Sequence, residues 1–379
     1  MSEIITVGLD LAKNVFQVHG ADAAGRAVLR KKLRRDQVLA FFGQLPACVV
    51  AMEACGGAHF WGREIGKIGH EVRLIPPAYV KPFVKRQKND MADAEAICEA
   101  AQRPTMRFVP VKSEETQGAA MVFRIRELLI RQRTQAINAL RGHLGEFGKI
   151  VPQGAANVSK LIAIVEDPEG GLPADAIPTL KVLVATLAHL EAEISKLDTE
   201  IARCAQDNEV ARRLMTVPGI GPLIATAIAV LAPPPETFRK ARDFAAWLGL
   251  TPRQHSTGGK QRLGATTRMG ERSLRRLLII GANSVIIKRH VHAAARPGTW
   301  LGGMLTRKPP MLVRVALANK MARIVWALMA RGGVYKAPAT AACAFRGIWA
   351  VISRDLGHAF HGISGSHFAP SGRLANGCY

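Results

Sequence analysis

The sequence predicts an α/β domain at its N-terminal end followed by a largely helical remainder. Three observations predict it. Up to about residue 110, short β-branched runs are separated by turn residues and interspersed with amphipathic stretches, the pattern of a sheet with helices on its faces. From Glu114 to Gly148 breakers are few, so one long helix is expected. Further on, Leu180, Leu183, Leu187, Leu190, Ile194, Leu197 and Ile201 recur at alternating three- and four-residue intervals, a helical seam rather than a strand.

The first element is Ile4-Ile5-Thr6-Val7-Gly8-Leu9-Asp10, a β-branched strand that ends on an acid. Asn14 to Gly20 alternates apolar and polar residues and should pair back on it as a hairpin strand. Ala27 to Leu33 adds a third strand, and Asp36 is placed to cap a helix running through Phe42. Cys48 to Glu53 is a short buried-type strand, again ending on an acid. Gly56-Gly57 then turns into a helix through Gly66, and Val72 to Ile75 forms another strand before Pro76-Pro77. Hairpin strands first, then strand–helix alternation, give a sheet of ribonuclease-H-like order.

The acids of this region carry its chemistry. Asp90 and Asp93 are three apart in an alanine-rich helical run, so they share one face, one turn apart. Open sheets form their sites at the carboxyl ends of strands, where Asp10 and Glu53 stand. Four carboxylates converging from two strands and a helix offer hard oxygen donors, suited to one or two Mg²⁺ ions that act on a phosphodiester. Taken singly, each acid reads as a turn cap or an ion-pair partner; only the four together read as a metal site. Lys81, Lys85, Arg86 and Lys88, just upstream of the pair, would draw a polyanion there.

The middle of the chain, about 111–205, is two helical arms around a Pro- and Gly-bearing connection, Val151 to Pro178. Its seam fits an antiparallel hairpin packed on itself or a dimerising coiled coil. In the third domain, about 206–335, Leu214 to Ala225 has the form of a helix-hairpin-helix. The tight Gly219-Ile220-Gly221 turn would present backbone N–H groups to a phosphate; an ordinary helix–helix turn looks similar. From Phe244 to Arg331 there are sixteen Lys and Arg and one acid, Glu271, a lopsidedness that fits a polyanion surface. Within it, Ser256 and Thr257 lie in a Gly-rich loop with Arg253, Lys260 and Arg262 around them. A serine there could attack a phosphodiester, and a loop that only binds phosphate would look the same.

Composition bounds the partners. Of 379 residues, 48% are hydrophobic and 21% charged, as in a globular protein; 52 Lys and Arg against 29 Asp and Glu leave a formal net charge of +23. That excess points to nucleic acid. Six scattered cysteines without a C-x-x-C pair fit a reduced compartment and not a structural zinc site. No apolar run reaches membrane-spanning length and no signal peptide opens the chain, so a cytoplasmic protein is expected.

Six motifs, in order from about residue 4 to 335, carry a family resemblance. They are Gly8-Leu9-Asp10 with Lys13, Met52-Glu53-Ala54-Cys55-Gly56, and Lys88-Asn89-Asp90 with Asp93-Ala94. Further on come Val217-Pro218-Gly219-Ile220-Gly221-Pro222, Gly249 to Lys260, and Arg272 to Leu278. Together they resemble the DEDD transposases of bacterial insertion sequences, relatives of the Piv-type DNA invertases. The resemblance implies an RNase H-like, RuvC-like domain over 1–110 whose acids are Asp10, Glu53, Asp90 and Asp93. It also implies a transposase domain with a nucleophilic serine, placed at Ser256 with Thr257 as the neighbouring hydroxyl. Mg²⁺ as cofactor, DNA ends and target as substrates, a noncoding bridge or seeker RNA as guide, and a homodimer or homotetramer follow from the same resemblance. Base pairing by such an RNA would supply specificity while the basic surface holds backbones.

Two other functions stay open on these residues: a DNA-only invertase or junction resolvase of the same fold, and a non-catalytic nucleic-acid-binding remnant. The last stretch, about 336–379, mixes Gly, Ser, His and aromatics without a period. His358, His361 and His367 there suggest metal only weakly against a loose tail.

Overall fold

The computed structural model describes residues 3–85, 89–288 and 299–337. Arg86 and Lys88, together with His358, His361 and His367, lie outside the described residues. The chain divides into two compact units, residues 1–128 and 129–379.

The first unit is built on a five-stranded mixed sheet of order β3-β2-β1-β4-β5. Its strands are β1 Thr6–Asp10, β2 Val15–Ala21, β3 Ala27–Arg34, β4 Val49–Glu53 and β5 Glu71–Ile75. β1 and β2 pair antiparallel, as do β2 and β3, while β4 runs parallel to both β1 and β5. This order fits an RNase H-like fold. Helices α1 Val38–Gly43 and α2 Ala58–Lys67 follow β3 and β4, and α3 Pro77–Val80 and α4 Asp90–Ala101 follow β5.

Strand alternation sends alternate side chains to two separate cores. Val7, Leu9, Phe16, Val18, Leu33, Val50 and Met52 pack with Val38, Phe42, Trp61 and Ile65 on one side. On the other, Ala51 and Ile75 meet Ala96, Ile97, Ala100 and Ala101 of α4. The small side chains of α4 let its backbone come close to the sheet. Asp36 does not cap a helix: it lies inside a 3₁₀ turn, Arg35–Gln37, and α1 starts only at Val38. Gln37 Oε1 accepts the Arg34 N–H at 3.0 Å and closes the start of that turn instead.

In the second unit, the later part of α5 Glu114–Glu146 packs with α6 Val158–Glu166 and α7 Ala176–Asp207. Leu180 and Leu187 of the heptad seam are buried against Leu140, Leu144, Leu161 and Val165, so this part of the seam closes within the chain. Then follow α8 Glu209–Leu214, α9 Pro222–Leu231, α10 Ala241–Trp247, a hairpin of β6 Pro252–Gln254 and β7 Leu263–Thr266, and α11 Arg272–Ile287. The described chain ends with α12 Trp300–Arg307 and α13 Pro310–Arg331. Among the described residues, no helix is long and apolar enough to cross a membrane.

Candidate active site

Asp10 ends β1, and α4 lies over β1 on the face that Asp10 shares with Gly8. A side chain at Gly8 would collide with the Ala94 carbonyl and with Cys98, so glycine is what lets α4 settle there. The Cys98 thiol reaches the Thr6 carbonyl at 3.5 Å and fixes the helix against the strand. Asn89 caps α4, its Oδ1 accepting the Met91 N–H at 3.0 Å, so the helix begins at Asp90. Both aspartates of α4 stand in its first turn, where the positive end of the helix dipole favours carboxylates.

The result is a cluster: carboxylate oxygens of Asp10, Asp90 and Asp93 all lie within 4.8 Å of one another. Among the described residues it is the group of acids placed to share a cation. Glu53, the fourth predicted acid, is not part of that close group. It stands at the end of β4, parallel to β1, near enough that Asp93 raises its pKa after burial has done so. Asp10 is pushed up to about 6 by burial first, then by Asp93, Asp90 and Glu53, while the Leu11 N–H works the other way. A site that raises a carboxyl in this manner lacks positive charge of its own. Hard oxygen donors gathered in that state fit a divalent cation. Cys55 borders the site, but burial and the charges of Glu53 and Asp10 raise its pKa, keeping the thiol protonated near neutral pH.

The predicted basic residues upstream are placed in part. Lys85 is exposed and its Nζ contacts Glu95 Oε1 of α4 at 2.8 Å.

In the second unit, Ser256 and Thr257 sit at the tip of the β6–β7 hairpin. Gly258 and Gly259 both have positive φ, 54° and 75°, as a two-residue hairpin turn of the primed kind requires. Thr257 and Lys260 exchange backbone hydrogen bonds across it. The exposed Ser256 hydroxyl oxygen accepts the Arg262 N–H at 3.1 Å, which orients the side chain and leaves its own proton available. Arg253, Lys260 and Arg262 are exposed on the same hairpin. The base of the hairpin is locked: a side chain at Gly270 would strike the Trp247 carbonyl, and Arg275 donates to the carbonyls of Leu248 and Met269.

Gly219 and Gly221 stand between α8 and α9, with Gly221 at the N-cap of α9. Gly219 has φ 86°, and its Cα faces Gly281 and Val285 of α11. Helix packing alone therefore requires glycine at 219.

Comparison with known proteins follows the same division. The model of the Transposase IS116/IS110/IS902 family matches residues 211–296, and a second model, described as Transposase and drawn from DEDD proteins of IS110 elements, matches residues 7–148. A protein of Pseudomonas aeruginosa named "Probable family 20 transposase" is 50% identical, over 87% of this chain and 98% of that one. The transposase for insertion sequence element IS1328 of Yersinia enterocolitica is 40% identical over 88% of this chain and 99% of its own. That for IS1111A of Coxiella burnetii is 36% identical over 89% and 92%.

Fold, acidic cluster and these likenesses define a DEDD-type transposase, an enzyme that cuts and rejoins DNA. The chain belongs to the IS110/IS116 family of insertion-sequence transposases.

Proposed function

We propose that this transposase cuts DNA at the Asp10–Asp90–Asp93 cluster and conserves the broken bond on Ser256, guided by a noncoding RNA of its own element. The observation that carries the reading is the convergence of three carboxylates within 4.8 Å at a strand end and a helix start. Asp10, Asp90 and Asp93 would hold Mg²⁺, with Glu53 as the further acid at the neighbouring strand end. Bound there, the ion would supply positive charge against the scissile phosphate.

The chain's own residues do the rest. The Ser256 hydroxyl gives up its proton as its oxygen attacks phosphorus, and the deoxyribose oxygen that departs takes up a proton. A phosphoserine link then stores the bond until a DNA hydroxyl attacks it and restores the serine, with no net consumption of a high-energy bond. Arg253, Lys260 and Arg262 on the hairpin would steady charge on the phosphate in transit. Thr257, one position away, is the competing hydroxyl. Gly219 and Gly221, with Lys85, Arg86 and Lys88, would add backbone contacts to the nucleic acid.

In this reading 1–110 is the RuvC-like domain, 111–205 the helical middle with its hairpin or coiled coil, and 206–335 the transposase domain with helix-hairpin-helix. The partners are element ends, target DNA and a bridge or seeker RNA, in a homodimer or homotetramer. The net charge of +23 and the near absence of acids between Phe244 and Arg331 support a large polyanionic load. Purifying the protein from cells that carry its native flanking DNA, and sequencing the bound RNA, tests the guide. One discrete RNA with loops complementary to the element junction and the insertion site supports the reading. Random cellular RNA beside specific DNA cleavage rejects the guide and leaves a DNA-only recombinase.

A further inference from the structure

A concave trough lies over β2 and β3, on the sheet face that carries the acidic cluster. The register shows why. Asp10 pairs with Gln17 across β1–β2, and Gln17 pairs with Lys32 across β2–β3. Gly8, His19 and Arg30 form the next such row. Alternation along a strand then puts Gln17, His19, Arg30 and Lys32 on the sheet face that carries Asp10 and α4, while Phe16, Val18 and Leu33 fill the opposite core. α4 covers β1 and the near side of β2 but does not extend over β3. Where it stops, a cavity of about 230 Å³ remains, lined by Gln17, His19, Arg30 and Lys32, by the intervening Val18 and Lys31, and by Met91, the neighbour of Asp90.

The trough is cationic. Arg30 and Lys32 are exposed and have no ion pair among the described residues. Glu95 of α4, the acid whose charge reaches His19 and Arg30, is already held by Lys85 at 2.8 Å. His19 is buried, and burial lowers its pKa, so the trough floor is a neutral imidazole near neutral pH. Positive residues on an edge strand also guard against edge-to-edge pairing. That role does not need a concavity, and it does not need the cations to lie on the face of the acids. Lys31 borders the cavity as well, but its ammonium stands over the Phe41 ring at 5.1 Å.

Spacing identifies the occupant. Arg30 and Lys32 are two residues apart on one strand, so their Cα atoms lie about 6.6 Å from each other, comparable to successive phosphates of an extended single strand. Two strand steps of about 4.8 Å separate Lys32 from Asp10, one or two nucleotides from a phosphate at the acids. We infer that Arg30 and Lys32 are positioning residues that hold backbone phosphates of the strand being cut, one to two nucleotides to one side of the scissile phosphate. Gln17 lies between them and Asp10 and would contact the linkage in between. The inference rests on the acidic cluster being the cutting site.

The test uses the full-length protein, prepared with the transcript of its native flanking DNA, and an element-end DNA as substrate. R30Q/K32Q is expected to raise the half-saturating DNA concentration for cleavage about tenfold and to lower the slope of log affinity against log salt by about 1.4 to 1.8. The rate at saturating DNA stays near that of the unsubstituted protein. Neutral methylphosphonate linkages placed one or two nucleotides to either side of the cut supply a readout that a merely structural role would not move. At sub-saturating DNA they should slow the unsubstituted protein on one side only, and should not slow R30Q/K32Q further. Unchanged half-saturation and salt slope in R30Q/K32Q, or equal sensitivity of both proteins to the neutral linkages, would overturn the assignment. Asp10→Asn assayed in parallel separates the two levels: wild-type cleavage by that variant refutes the cutting site itself, whatever the trough does.

Discussion

The Ala94 carbonyl of α4 occupies the place where a side chain at Gly8 of β1 would stand. That contact brings the first turn of α4 down onto the end of β1 and so gathers Asp90 and Asp93 around Asp10. Gly8→Val should therefore act on the cluster without touching any acid. The helix has to lift or shift, and divalent-ion affinity should fall by at least tenfold. Isothermal titration with Mn²⁺ or Mg²⁺ reads it, and unchanged affinity in a folded Gly8→Val protein would refute the role given to the contact.

Asp10 gives the cluster a pH signature. Its carboxyl titrates at about 6 in the folded chain against 3.8 as the ordinary value, so its ionised form costs stability above about pH 6. That cost fades as pH falls from 6 towards 3.8, because the folded state takes up the proton first. In metal-free protein, Asp10→Asn should raise the melting temperature near neutral pH and change it little near pH 4. Asp10 is half-exposed, so screening keeps the gain to about 1–2 kcal/mol. A destabilised Asp10→Asn at neutral pH, measured by calorimetry, would contradict the cost assigned to this buried charge and its acidic neighbours.

Lys320 on α13 shows the opposite sign. Burial, and then Arg323, push its ammonium down to about 8 from 10.5, and its Nζ lies 4.7 Å over the Trp300 ring. The charged form costs stability below about pH 8, and the cost is relieved as pH rises through 8 towards 10.5. Lys320→Met should flatten that rise and stabilise the protein by about 1–3 kcal/mol near neutral pH. Equal pH slopes for the two proteins would show that the ammonium is not penalised.

For the hairpin, Ser256→Ala should abolish strand transfer while DNA affinity stays within about twofold, since one exposed hydroxyl contributes little to a charge-dominated interface. Thr257→Ala should retain transfer. The reverse pattern would move the nucleophile to Thr257, and transfer by both variants would remove the covalent step.

How far residues alone disclose these relationships depends on their range. Asp10 and Glu53 announce themselves as acids ending β-branched runs, and Asp90 and Asp93 as a pair on one helical face, because each signal is local. The separation of Glu53 from the close group of three is not local: it depends on how α4 sits over β1 rather than β4. Gly8 had a signal, a glycine inside a strand, yet only the packed helix shows what approaches it. Arg30 and Lys32 look like solvated charges in Ala-Val-Leu-Arg-Lys-Lys-Leu-Arg until two registers put them in line with His19 and Gln17. Asp36 is no cap because the backbone there is already in a 3₁₀ turn and Gln37, the residue before α1, is itself helical. Gly258 and Gly259 are legible as part of a Gly-rich loop, but the two-residue turn they form needs the β6–β7 hairpin to be found. Gly219 carries a helix contact with Gly281 that sixty residues of intervening chain conceal.

The most direct measurement is cleavage of an element-end DNA in Mg²⁺ by D90N/D93N, beside its DNA affinity. The double substitution keeps the shape of the α4 start and removes two of the three clustered charges. Cleavage reduced at least a hundredfold, with DNA affinity unchanged, is the predicted result. Cleavage at the unsubstituted rate would contradict the acidic cluster as the site that cuts DNA.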